Sequence, residues 1–177
     1  MIFLFAGHGG GAPGALGVAG RTESAETIKL RNAIVACLPL GAKYQIDDDR
    51  DKLAKVLSKA KTGSGSVVLD LHFNASASAA ASGVEVLVGD DAQANDLALA
   101  KDVLDAVVAA TGLRSRGIKR EGETPRKRLG VMRESGAVCL LEVCFISNAG
   151  DMVAYDAAMQ TIAKRLADVL VKHDAII

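Results

Sequence analysis

Residues 2–11, Ile-Phe-Leu-Phe-Ala-Gly-His-Gly-Gly-Gly, place a short apolar run directly before a glycine, a histidine and three more glycines. An apolar run that ends in glycines predicts a buried strand opening into a loop. The pattern returns at residues 67–71, which precede His72, and a longer apolar run covers residues 137–146. These three runs predict the central strands of one sheet.

Segments with helical periodicity separate the predicted strands. Apolar side chains recur at helical spacing over residues 22–38, 49–61, 93–111 and 151–171, and further strands are predicted over 42–46 and 83–88. This alternation predicts an α/β fold with a central sheet flanked by helices on both faces. No repeat or linker divides residues 1–177, so we expect a single domain. His173 follows the last predicted helix, in a tail expected to fray.

The amino-acid composition limits which partners and which cell compartment we expect for this protein. The 177 residues carry 21 Lys and Arg against 21 Asp and Glu, and this balance argues against a nucleic-acid surface. Apolar runs are too short to span a membrane, and the first residues lack the pattern of a signal peptide. We therefore expect accumulation in the cytoplasm of the producing cell. The chain has three cysteines, an odd number that does not indicate a set of paired disulfides, and this is typical of a protein in a reducing compartment.

The glycine-rich loop after the first strand matches several motifs only in part. Gly9, Gly11 and Gly14 fit the spacing of a dinucleotide fingerprint, but Pro13 and further residues separate them from the next predicted helix. No Gly-Lys-Ser/Thr follows, which argues against a P-loop. The loop is similar to the oxyanion loop of some esterases, yet the chain has no Gly-x-Ser-x-Gly elbow. The sequence thus disfavours all three sites.

His8 and His72 each follow a predicted strand, and ligand sites in such sheets lie at the carboxyl ends of the strands. Two imidazoles and one carboxylate, with a fourth position open to water, make a catalytic zinc site. Glu23 and Glu26 both fall in the first turn of a predicted helix, and spacing does not choose between them. The alternative is that each histidine is a hydrogen-bonded structural group.

Glu142 is the only charged residue in the apolar run 138–146. An unpaired carboxylate in such surroundings is costly, so this side chain needs a partner. Beside a metal site it would be poised as a general base and then a general acid. The alternative is an ion pair with a basic side chain such as Arg133. Cys139 and Cys144 are expected to be small core residues.

Several motifs together resemble the zinc-dependent N-acetylmuramoyl-L-alanine amidases of bacterial cell-wall hydrolases and phage endolysins. The similar segments are Gly7–Gly10 with Pro13–Ala15, His72–Ala75, Gly83–Val86 and Leu141–Asn148. Their order and spacing agree over about residues 2–170. Two departures are Cys144, where the family commonly has glycine, and a missing acidic residue before the Pro-Gly-Ala step.

The resemblance implies a fold, a cofactor and a set of site residues. The fold would be a mixed sheet of about six strands between helices. Zinc would be held by His8, Glu23 and His72, with Glu142 as the catalytic base, and water would hydrolyse the amide between N-acetylmuramic acid and L-alanine in peptidoglycan. Asn74 and Arg133 are further expected to contact the substrate.

A basic segment over residues 114–133 holds eight of the 21 Lys and Arg residues. We expect an exposed, turn-rich segment that either contacts carboxylates of the stem peptide or is only a solvated loop. We further expect a monomer with no nucleic-acid partner. The alternative function is a non-catalytic α/β module that binds peptidoglycan or a nucleotide.

Overall fold

A computed structural model describes residues 1–176 of the chain, so Ile177, the last residue of the predicted domain, lies outside it. Within the described part the chain forms six strands and four α-helices. The strands are β1 Ile2–Ala6, β2 Tyr44–Ile46, β3 Val67–Asn74, β4 Val84–Val88, β5 Ser115–Arg120 and β6 Ala137–Phe145. The helices are α1 Glu23–Cys37, α2 Leu53–Lys59, α3 Ala94–Thr111 and α4 Ala149–Ile176.

The six strands form one mixed sheet in the order β2-β1-β3-β6-β4-β5. Strands β2, β1, β3 and β6 are parallel, β4 runs antiparallel to β6, and β5 is parallel to β4. The carboxyl ends of β1, β3 and β6 therefore meet at one edge of the sheet. The predicted α/β class and the mixed six-stranded sheet are confirmed.

Helices cover both faces of the sheet, to different extents. The larger apolar core lies between one sheet face and helices α1, α3 and α4. A smaller core on the other face includes Val56 of α2 and Val131 and Met132 of a 3₁₀ turn at Gly130–Arg133. Because α2 is only 7 residues long, this second face is left open towards the carboxyl ends of the central strands. That opening is where the polar side chains of the sheet lie.

Three predicted segments differ from the structure. The helix predicted over 49–61 begins only at Leu53, because the preceding residues form a turn in which the Asp49 carbonyl accepts a hydrogen bond from Gly10. The predicted loop over 114–133 contains β5, an edge strand that pairs only with β4. His173 lies inside α4 and is buried, with Nε2 2.8 Å from Asp102 Oδ2, so the expectation of a frayed tail is wrong.

None of the helices within residues 1–176 is both long enough and apolar enough to cross a bilayer.

Candidate metal centre

His8, Glu23 and His72 come together at the carboxyl edge of the sheet. One ligand atom from each residue lies within 4.8 Å of the other two. The Glu23 carboxylate stands between the histidines, with Oε2 3.1 Å from His8 Nε2 and Oε1 2.8 Å from His72 Nδ1. The two imidazole rings meet edge to face, with centroids 5.2 Å apart. We call these three side chains the ligand trio.

Two glycines, which have no side chain, make room for the ligand trio. A Cβ atom on Gly7 would stand 2.5 Å from Cε1 of the His72 ring. A Cβ atom on Gly14 would stand 2.7 Å from Glu23 Oε2, and the φ angle of Gly14 is +68°, a value that favours glycine. The glycine-rich loop therefore lets the backbone pass close to the site.

The backbone fixes the orientation of the Glu23 carboxylate. The amide of Ala15 donates to Oε2 at 2.9 Å, and the amide of Phe73 donates to Oε1 at 3.1 Å. Burial opposes ionisation, since Glu23 is only 4% exposed, but hydrogen bonds from His72 and His8 outweigh it and hold the Glu23 pKa below its usual range. The trio therefore carries an oriented anionic oxygen donor.

Glu26, the other carboxylate that the sequence offers, points elsewhere. Its Oε1 lies 2.9 Å from Arg21 Nε, and Arg21 also pairs with Asp156 through two contacts of 2.7 Å. The structure thus brings Glu23, and not Glu26, to the two histidines.

Asp70 is a member of the site that sequence reasoning missed. Its Oδ2 lies 3.4 Å from Nε2 of His72, on the side of the ring away from Glu23. Burial disfavours the charged imidazole, but the charge and hydrogen bond of Asp70, together with the hydrogen bond to Glu23, outweigh burial and raise the His72 pKa well above its ordinary value. A carboxylate behind a histidine also fixes the ring of a metal ligand. The signal in the sequence was a lone aspartate inside the apolar run Val67–Leu71.

Glu142 lies beside the ligand trio and forms no ion pair with a lysine or arginine within residues 1–176. It is paired in register with His72 on β3 and with Glu85 on β4, so the three side chains share one face of the sheet. Its Oε2 is buried without a hydrogen-bond partner in the described chain. Burial raises the pKa of Glu142 to about 7, although the nearby His72 acts in the opposite direction. Such a carboxyl group can exchange a proton near neutral pH.

Arg133 is not part of this group. It forms an ion pair with Glu121 and lies near Gly89, which follows the carboxyl end of β4. Because β4 runs antiparallel to β6, that end lies at the opposite edge of the sheet from Glu142. The structure therefore shows neither the Glu142–Arg133 ion pair considered from the sequence nor a place for Arg133 beside the ligand trio.

Asn74 does lie at the candidate site, where it holds another carboxylate that sequence reasoning missed. Its Nδ2 donates to Glu85 Oε1 at 2.9 Å. The other oxygen of Glu85 lies 2.6 Å from both Arg116 Nε and Lys119 Nζ on β5. Two residues of the predicted basic segment therefore reach the polar face of the sheet.

The donor set of the ligand trio fits zinc. Imidazole nitrogens and a carboxylate oxygen are the donors of many catalytic zinc sites, which use three protein ligands and leave a fourth position for water or substrate.

The buried Cys139 and Cys144 lie within the apolar core, and burial raises the pKa of both thiols. The two cysteines are core residues, as predicted.

Comparison with known proteins assigns the chain to a family. A search of curated proteins finds no significant match. The family model described as N-acetylmuramoyl-L-alanine amidase matches residues 2–172. Among solved structures, the N-acetylmuramoyl-L-alanine amidase AmiC2 of Nostoc punctiforme is 21% identical, with a TM-score of 0.79 over 97% of this chain and 94% of that chain.

Two further solved structures have the same fold. The catalytic domain of the amidase CwlV from Bacillus (Paenibacillus) polymyxa var. colistinus is 26% identical, with a TM-score of 0.68 over 99% of this chain and 94% of that chain. The catalytic domain of the CD27L endolysin, which targets Clostridia difficile, is 22% identical, with a TM-score of 0.73 over 97% and 96%. Because the family model spans nearly the whole sequence, the chain belongs to the N-acetylmuramoyl-L-alanine amidase family.

Proposed function

We propose that this protein is a zinc-dependent hydrolase that cleaves the amide bond between N-acetylmuramic acid and L-alanine in peptidoglycan. The observation that carries the proposal is the ligand trio with Glu142 beside it, within a chain of the amidase family. His8, Glu23 and His72 would hold the zinc ion. When bound, zinc would act as a Lewis acid that polarises the amide carbonyl and makes water more acidic.

The residues of the chain then have separate roles. The amides of Ala15 and Phe73 hold Glu23 in place, and Asp70 holds the far side of the His72 ring. Glu142 accepts the proton of the attacking water as the carbon–oxygen bond forms. It returns that proton to the alanine nitrogen as the carbon–nitrogen bond breaks.

The raised pKa of Glu142 supports this double role. A general acid–base group works best when its pKa is near the pH of the reaction, and burial brings that of Glu142 to about 7 in the metal-free protein. Its free Oε2 atom supports the same role, since no ion pair in the described chain occupies it.

The accumulation of the protein in the cytoplasm and its monomeric state stay predictions.

Glu142→Gln tests the proposal, because the amide keeps the shape of the side chain but does not accept the proton. We expect turnover to fall by about 10²- to 10⁴-fold, the contribution usual for general acid–base catalysis. Zinc content should stay as in the wild type, and the variant should stay folded, since no buried cation in the described chain loses its partner. Turnover is measured as release of L-alanine amino termini from purified cell walls.

Glu123→Gln, at an exposed position, is the matched control and should retain full activity. Wild-type turnover in Glu142→Gln would contradict the role of Glu142. A wild-type protein that binds cell walls but releases no amino termini would favour the non-catalytic module instead.

A further inference from the structure

A row of polar side chains crosses the open face of the sheet. His72 is paired in register with Glu142, and Glu142 is paired with Glu85. Arg116 and Lys119 on β5 then contact the same Glu85 oxygen, each at 2.6 Å. The row therefore runs from the ligand trio, past Glu142, to two cations at its far end. We call Arg116 and Lys119 the cationic pair.

The cationic pair keeps hydrogen-bond donors that nothing in the described chain uses. Within residues 1–176, Arg116 donates only through Nε, and both of its terminal nitrogens have no partner. Lys119 makes a single contact, to Glu85. The side chains of Arg116 and Lys119 are 26% and 33% exposed, so a ligand can reach them. Because two cations share one carboxylate, one positive charge is left over.

The position of Arg116 is fixed before any ligand binds. Its guanidinium carbon lies 4.9 Å from the centroid of the Phe145 ring, a contact typical of a cation–π interaction. Phe145 is the last residue of β6, three residues beyond Glu142 on the same strand. The unused donors of Arg116 are therefore held beside the carboxyl edge of the sheet.

The spacing of the strands indicates which part of a substrate would reach these cations. Neighbouring strands lie about 4.8 Å apart, which puts β5 about 10 Å from β6 across β4. An extended peptide advances about 3.3 Å per residue. Since both cations reach back from β5 to Glu85 on β4, they lie within reach of the second residue after the scissile amide.

Resting on the proposed function, we infer that Arg116 and Lys119 form a subsite for a free carboxylate on the second residue of the peptide stem. Guanidinium and ammonium groups form short, charge-assisted hydrogen bonds with carboxylates. Most other charged side chains along the row are acidic, namely Glu23, Asp70, Glu85 and Glu142. These acidic side chains repel an anionic stem, whereas the cationic pair attracts it. The enzyme prefers stems whose second residue keeps its carboxylates over stems in which they are amidated.

The test uses two soluble glycan strands that differ only in the stem. One carries L-Ala–D-Glu with free glutamyl carboxylates, and the other carries the same dipeptide with both of them amidated. We expect the wild-type protein to hydrolyse the first with a kcat/KM about five- to tenfold higher, the gain typical of a partly exposed charge-assisted contact. Arg116→Gln and Lys119→Met should each move this ratio towards one.

Glu85→Gln distinguishes a subsite from a purely structural cluster. Removing the internal carboxylate leaves the cationic pair without its competitor, so the preference for the free-carboxylate strand should rise by about threefold. A structural cluster predicts instead that Glu85→Gln lowers kcat/KM for both strands equally. Lys164→Met, on α4 and away from the site, is the matched control and should leave the ratio unchanged.

Two outcomes separate the inference from the proposed function. Equal hydrolysis of both strands by the wild-type protein, or an equal loss for both in the Arg116 and Lys119 variants, would overturn the carboxylate subsite alone. Failure of the zinc-loaded wild-type protein to hydrolyse either strand would overturn the proposed function, and the subsite with it. Because the wild-type ratio and the Glu85→Gln ratio are read independently, poor folding of one cationic variant leaves the test intact.

Discussion

Replacing Gly7 with alanine tests whether the placement of His72 sets the affinity for zinc. The Gly7 backbone is held on both sides, because its amide donates to Leu71 at 2.9 Å and its carbonyl accepts from Thr27 Oγ1 at 3.0 Å. The added Cβ atom would stand 2.5 Å from Cε1 of His72, 2.7 Å from Nε2 and 2.8 Å from Nδ1. Since ordinary contacts begin near 3.4 Å, the ring has to move by about 0.9 Å.

That movement cannot occur without changing the contacts of the ring. His72 is held by Glu23 at 2.8 Å on one nitrogen and faces Asp70 at 3.4 Å on the other. Forcing a methyl group into a packed position costs about 1 to 3 kcal/mol of stability. Loss of the contacts that orient a ligand typically weakens metal binding by about 10- to 100-fold. We expect Gly7→Ala to show both effects.

The assay compares Gly7→Ala with Gly63→Ala, whose added Cβ atom meets nothing within 4 Å. Zinc affinity is measured by competition with a chromophoric chelator, and stability is measured by thermal unfolding of the metal-free proteins. We expect the weaker zinc binding in Gly7→Ala only. If both variants bound zinc as tightly as the wild type, His72 would not be a ligand in the position described.

Three further predictions concern the same site. Glu23→Ala should lose most of the bound zinc, whereas Glu26→Ala should keep about one ion per chain; metal analysis of the purified proteins decides. Gly14→Ala and Gly11→Ala each place a side chain at a positive φ angle, +68° and +84°, which strains both variants by about 1 to 2 kcal/mol. Only Gly14→Ala should also lose zinc affinity, because its Cβ atom meets Glu23 whereas that of Gly11 meets nothing within 4 Å. In the metal-free protein the raised pKa of Glu142 means that the folded state holds a proton which the unfolded state releases. Stability relative to Glu142→Gln should therefore fall as the pH rises from about 4.5 to about 7, and parallel pH profiles in denaturant unfolding would contradict this.

Local sequence patterns were sufficient to place the two histidines. His8 and His72 follow apolar runs that predict buried strands, and the carboxyl ends of parallel neighbours meet at one edge. The choice between Glu23 and Glu26 was beyond such patterns, because both residues fall in the first turn of α1. It depends on the amides of Ala15 and Phe73, which come from other parts of the chain.

Strand direction and edge pairing were the parts of the fold that the local pattern did not contain. Ser115–Arg120 has only one large apolar residue, Ile118, and the strand pairs with one neighbour among the described strands, so the apolar signal of a central strand is missing. No local pattern fixes where Arg133, which is predicted to contact the substrate, lies relative to the sheet. The structure instead places it with Glu121 at the other edge, as a consequence of the antiparallel direction of β4.

Zinc-dependent release of L-alanine amino termini from purified peptidoglycan tests the central claim most directly. The wild-type protein is stripped of metal with a chelator, divided, and incubated with cell walls either as it is or with one equivalent of zinc. We expect amino termini of L-alanine to appear only in the zinc-loaded sample, and not when His8→Ala or His72→Ala replaces the wild type. Equal release by the stripped protein, or products that begin with any residue other than L-alanine, would contradict the account.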